Sequence, residues 1–126
     1  MLLRHAGLTC SSEDNADKFY RDLLGLNKSE SKTLPSDLSK AIFNLDTELK
    51  MINYIDEHLH FEIFITNLFC SAPNQIQHLC LEVDDLAGFI DGCRGMAVEV
   101  NLIPKGDQVL TFIKDFDGNL FEIKQK

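Results

Sequence analysis

The spacing of apolar and polar positions changes along the chain, and each change marks an element. Residues 2–10, LLRHAGLTC, read as an apolar strand. In SSEDNADKFYRDLLG, Ala16, Phe19, Tyr20, Leu23 and Leu24 recur at helical spacing, with a serine at 11 or 12 as N-cap, acids in the first turn and Gly25 placed to end the helix. Residues 26–34 are strand-like. Pro35 and Ser36 then read as a stop and an N-cap for a short helix from Asp37 to about Phe43, with Leu38, Ala41 and Ile42 on one side. ELKMINYI (48–55) and HLHFEIFIT (58–66), joined by the turn-capable residues around His58, read as paired strands.

After the linker-like NLFCSAPNQ the plan starts again. IQHLCLEV (76–83) is a strand, and DDLAGFIDGCRG is a capped helix with Leu86, Phe89, Ile90 and Cys93 inward and Gly95 as terminator. MAVEVNLI, QVLTFIKD and NLFEIKQ are three further strands, with PKGD and DFDGN as turns. The halves, about 1–70 and 74–126, thus share a β-α-β-β-β plan, and neither can bury its sheet face alone. The expected fold is α+β: a single domain, 1–126, of two tandem βαβββ modules forming a curved mixed sheet that lines a cleft.

Composition narrows the partners. A chain of 126 residues with 44% hydrophobic and 25% charged residues is an ordinary globular protein. Its net charge of −8 repels nucleic-acid backbones and anionic membranes, so neither is expected as a partner. With no membrane-length apolar run and no signal-peptide pattern after Met1, the expected location is cytoplasmic. Cys10, Cys70, Cys80 and Cys93 lack metal-finger spacing and read as reduced thiols.

The chemistry lies in four polar residues on apolar strands. Each half carries one His on its first strand, His5 and His78, and one mid-strand Glu on its last, Glu62 in HFEIF and Glu122 in LFEIK. The longer spacing in the first half reflects its inserted helix and loop, so the two pairs occupy equivalent positions. If the modules pack around a common cleft, two imidazoles and two carboxylates converge as ligands for zinc, nickel, cobalt, manganese or iron. His60 shares a face with Glu62 and reads as a half-exposed edge residue, with a pocket or ligand role as the alternative. Cys80 shares a face with His78 and reads as a pocket wall rather than a reactive thiol. Phe61, Phe64, Phe112 and Phe121 read mostly as core, with contact of Phe64 and Phe112 with a substrate tail as the alternative.

The motifs RHAGLTCSSEDNADKFYRDLLGL, QHLCLEVDDL and FIKDFDGNLFEI resemble the two module openings and the closing hairpin of the vicinal oxygen chelate superfamily. That group includes glyoxalase I, methylmalonyl-CoA epimerase, extradiol dioxygenases and fosfomycin-resistance proteins. Phe116 stands where the closing motif usually has Pro. The resemblance implies the glyoxalase-like fold and one divalent transition metal (zinc, nickel or cobalt) held by His5, Glu62, His78 and Glu122. Dioxygenases and fosfomycin-modifying enzymes use two His and one Glu, glyoxalase I has a carboxylate at the Glu62 position, and the epimerase has an amide there.

Glu62 therefore implies a lyase or isomerase of the glyoxalase I (lactoylglutathione lyase) type, transferring a proton α to a carbonyl, with Glu122 as leading base and Glu62 as its counterpart. The alternatives are an acyl-CoA epimerase and a non-catalytic small-molecule binding or resistance protein. The implied partners are a carbonyl substrate or its thiol adduct and a second copy in a homodimer. In glutathione-dependent glyoxalase I an Arg usually lies four residues after the first His; here that residue is Thr9.

Overall fold

A computed structural model describes residues 1–68 and 75–126; Cys70 and most of the expected linker lie outside the described residues. The chain divides into two compact units, Met1–Phe69 and Cys70–Lys126. The first contains β1 (Ala6–Cys10), α1 (Glu13–Ala16), a π-helical segment (Asp17–Leu23), β2 (Asn27–Lys28), β3 (Lys32–Leu34), α2 (Ser36–Phe43), β4 (Leu49–Ile55) and β5 (His60–Ile65). The second contains β6 (Leu79–Val83), α3 (Leu86–Gly95), β7 (Val100–Lys105), β8 (Gln108–Lys114) and β9 (Leu120–Gln125).

Each unit has one mixed sheet, ordered β1-β5-β4-β2 with β3 also on β4, and β6-β9-β8-β7. In both, the first strand lies parallel to the last, whereas the remaining pairings are antiparallel. This is the expected α+β arrangement of two β-α-β-β-β modules, with the strand after the first helix split into β2 and β3 and followed by the inserted α2.

Local chemistry accounts for most element ends. Ser12 caps α1 by accepting from the Asn15 amide at 3.1 Å, and Asp85 caps α3 by accepting from the Gly88 amide at 2.9 Å. Gly25 follows the first helix with φ 74, a left-handed conformation that costs a glycine little. Several boundaries depart from expectation, among them the start of β6 at Leu79 rather than 76, which leaves His78 ahead of its strand. The first strand starts at Ala6, leaving Leu2 and Leu3 exposed. Ser36 is the first residue of α2 rather than its cap, and Pro35 precedes it without a side-chain bond. Gly95 is the last helical residue of α3, and the positive φ falls on Ala97 instead. Pro104 and Lys105 extend β7, so the hairpin turns at Gly106, whose φ is 59.

The expected single α-helix of the first unit widens into a π-helix after Ala16, with the Leu24 amide reaching back to the Phe19 carbonyl at 3.0 Å. Phe19 and Tyr20, adjacent in sequence, are both fully buried, and the Tyr20 ring meets Tyr54 at 5.5 Å and Phe61 at 5.4 Å. In the second unit Ile113, Phe121, Ile123 and Cys93 are buried. Each such apolar side chain contributes about 1.5–3 kcal/mol on burial. Helix α2 is different: Leu38, Ile42 and Phe43 are exposed, while Ser39 is buried with no hydrogen-bond partner for its hydroxyl among the described residues. Among the described residues no helix is long and apolar enough to cross a membrane.

Charge clamps the first helix to the sheet. Lys28 reaches Glu13 at 2.7 Å and Asp17 at 2.9 Å, Lys50 also contacts Glu13, and the buried Tyr54 hydroxyl donates to Asp17 at 2.7 Å. The ammonium groups of Lys28 and Lys50 draw the Glu13 carboxyl from its ordinary 4.5 down to about 2. A folded value below the unfolded one stabilises above pH 4.5, and that contribution is lost as pH falls toward 2. In thermal melts across this window, Glu13→Gln should flatten the acid-side fall in stability. A variant curve running parallel to the parent's would show that Glu13 does not carry this linkage.

Candidate metal and proton-transfer site

Parallel pairing of first and last strands sets one His against one Glu in each unit. In the first, Gly7 lies opposite Glu62, so His5, one residue before β1, brings Nε2 to 3.3 Å from Glu62 Oε2. In the second, Cys80 lies opposite Glu122, and His78, one residue before β6, places Nε2 4.0 Å from Glu122 Oε2. The two pairs thus hold the same position relative to their strands.

Neither Glu points into its unit's core. Phe61 and Ile63 flank Glu62, Phe121 and Ile123 flank Glu122, and all four apolar side chains are buried on the opposite sheet face. Yet the carboxylates are mostly covered, with side-chain exposures of 23% and 15%. Lys124 Nζ lies 3.6 Å from Glu122 Oε1. Cys80 is exposed, and partial burial, followed by the Glu122 charge, raises its thiol above its ordinary value, which disfavours the reactive thiolate.

The donor chemistry fits a divalent cation. His78 Nδ1 is 2.8 Å from the Ile76 carbonyl, which can only accept, so Nδ1 carries a proton and Nε2, on the side of Glu122, is the nitrogen left to meet a cation. Within each unit the candidate donors form one pair. No group of three or more His, Cys, Asp and Glu able to hold a metal ion occurs among the described residues.

One neighbour, Asn53, escaped the sequence reading, and it bonds to one that did not. His60, read as an edge residue, packs its ring 5.4 Å from that of His5 and places Nε2 2.9 Å from Asn53 Oδ1. Asn53 lies directly opposite Glu62 and is buried. Its signal was available: an amide between Ile52 and Tyr54 in an apolar strand is the same anomaly that singled out Glu62.

The same face of the first sheet carries a cavity of about 190 Å³, lined by Thr9, Phe43, Leu45, Leu49, Phe64 and Thr66. Phe64 is two residues beyond Glu62, and Phe43 from α2 meets its ring edge-on at 5.4 Å. Thr9 thus opens onto an apolar wall. Phe112, on the second sheet, meets the His78 ring at 5.6 Å and lies opposite Glu122.

Comparisons with known proteins bear on this arrangement. The family model for the Glyoxalase/Bleomycin resistance protein/Dioxygenase superfamily matches residues 2–123. The mitochondrial methylmalonyl-CoA epimerase of Mus musculus is 25% identical across 98% of this chain and 72% of its own length. Among solved structures, a glyoxalase family protein from Enterococcus faecalis superposes with a TM-score of 0.74 at 20% identity, covering 97% of this chain and 95% of that one. The fosfomycin resistance protein FosX of Listeria monocytogenes gives 0.74 at 14% identity, covering 100% and 93%. A variant of that FosX, solved with Mn(II) and 1S,2S-dihydroxypropylphosphonic acid, gives 0.72 at 15% identity, covering 97% and 87%.

Proposed function

Because the chain belongs to the Glyoxalase/Bleomycin resistance protein/Dioxygenase superfamily, we propose that it is a metal-dependent isomerase of the glyoxalase I type, moving a proton on the carbon next to a carbonyl. The observation that carries this reading is the His–Glu pair repeated at the same strand positions in both units. In this reading 1–126 is one domain, and His5, Glu62, His78 and Glu122 would hold one divalent transition metal, zinc, nickel or cobalt, within a chain or across a homodimer. The bound metal supplies Lewis-acid stabilisation of the oxyanion that develops as the α-proton leaves.

The chain's own groups do the rest. Glu122 takes the proton and Glu62 serves as its counterpart in returning one, each a largely covered carboxylate beside an imidazole. The cavity beside Phe64 holds the apolar part of the substrate. Thr9 on that wall supplies no cation for a glutathione carboxylate, which favours another thiol adduct or a free α-hydroxy carbonyl. A second reading, epimerisation next to an acyl-CoA thioester, is supported by the similarity to the mouse epimerase and requires the same proton transfer.

The test is metal analysis of the purified protein, then turnover in deuterated water with methylglyoxal adducts of several thiols and with a methyl-branched acyl-CoA. Incorporation of deuterium at the α-carbon is expected, and the probe that exchanges separates the two readings. Turnover without exchange or a primary isotope effect would overturn both, and oxygen consumption would move the protein to dioxygenase chemistry.

A further inference from the structure

We infer that His60, anchored by Asn53, is a positioning residue that fixes the imidazole of His5 against Glu62; this rests on the proposed site and deepens it. The two ligand candidates are held in different ways. His78 is anchored by the bond from its own Nδ1 to the Ile76 carbonyl, whereas His5, in the stretch before β1, makes no such backbone bond among the described residues. Among the described residues its polar and ring contacts are the Glu62 carboxylate, at 3.3 Å, and the His60 ring, at 5.4 Å and a 58° tilt. An exposed imidazole ahead of a strand samples several rotamers unless a neighbour removes them.

The second unit shows the same need met at another position. There the ring beside the ligand candidate is Phe112, on the strand position opposite Glu122. In the first unit the position opposite Glu62 is Asn53, which carries no ring. The ring comes instead from His60, two residues before Glu62, and Asn53 holds it in place. Asn53 Oδ1 can only accept, so His60 donates from Nε2. The anchor is itself fixed: Asn53 is 8% exposed, and its backbone pairs with Ser29, donating to the hydroxyl at 3.2 Å and accepting from the amide at 2.9 Å. Rigidity thus passes from a part-buried pairing with Ser29 through an amide and a ring to the His5 imidazole.

The experiment compares the parent with His60→Ala, His60→Phe, Asn53→Ala and the double variant His60→Ala/Asn53→Ala, with thermal melts recorded for each. In metal-free protein, side-chain couplings and ring-to-ring cross-relaxation of His5 should report one dominant rotamer in the parent and averaging in His60→Ala. Mn(II) and Ni(II) titrations should show affinity lowered about 10–100-fold in His60→Ala, the usual cost of losing a group that orients a ligand. His60→Phe, which keeps the ring but loses the bond to Asn53, should match Asn53→Ala, both falling between the parent and His60→Ala, and the double variant should be no worse than the worse single one, as expected for residues acting in series. Unchanged His5 couplings in His60→Ala overturn the proposal whether or not the parent binds metal. Affinity within about twofold of the parent, or losses that add in the double variant, also overturn it. A parent that binds no metal overturns the metal reading alone, and the couplings still decide the role of His60.

Discussion

Replacing Glu122 with Gln is expected to lower turnover by about two to four orders of magnitude, the usual cost of losing a general acid or base, and Glu62→Gln to fall in the same range. The substitution keeps size and removes the charge, so the strand packing set by Phe121 and Ile123 on the opposite face should survive. The Michaelis constant should change much less than turnover, because the apolar contacts beside Phe64 and Phe112 are untouched. Single-turnover rates, solvent deuterium incorporation and thermal melts on the same preparations check this. Full turnover and normal α-proton exchange in Glu122→Gln would remove it as the base and leave Glu62 to be tested alone.

The second large effect concerns metal retention. His5→Ala and His78→Ala should each weaken divalent-metal binding by more than about a hundredfold, since even groups that only orient a ligand are worth ten to a hundredfold. Each His has its own Glu within its own unit, so the two variants also ask whether the pairs act together. A shared ion predicts that loss of either His empties the site. Separate ions predict that His5→Ala leaves binding at His78 and Glu122 intact, and elemental analysis after dialysis distinguishes the outcomes. Parent-like metal content in both variants would sink the four-residue assignment.

Much of the fold could be read from the chain because the deciding chemistry is local. Ser12 and Asp85 announce helix starts by bonding amides three residues on, and the strand-helix-strand alternation survives in both halves. Glu62 and Glu122 stand out because a carboxylate among Phe and Ile contradicts its surroundings. What stayed hidden depends on register or on small differences in period. The spacing of Ala16, Phe19, Tyr20 and Leu23 is that of an α-helix, and the bond from the Leu24 amide to the Phe19 carbonyl, five residues back, is a backbone choice that the side-chain pattern does not carry. The bond from His60 to Asn53 joins neighbouring strands across a turn, so its chemistry appears only once Ile55 is known to lie opposite His60. The exposure of Leu38 and Ile42 was equally unreadable: an amphipathic pattern says that a face can be covered, not what covers it.

The parallel pairing of first strand with last also bears on the order in which the molecule assembles. Ala6 meets Phe61 and Leu79 meets Phe121, each the longest-range strand pairing in its unit, whereas the β4–β5, β7–β8 and β8–β9 pairings join strands consecutive in the chain. Closing the longer loop costs more chain entropy, so the hairpins form ahead of the outer strands. Each His therefore reaches its Glu in the last step of its unit's folding, and a growing chain on the ribosome has no complete pair of donors until the closing strand has emerged. Under the proposed metal reading, topology alone would limit premature capture of an ion by a half-made unit.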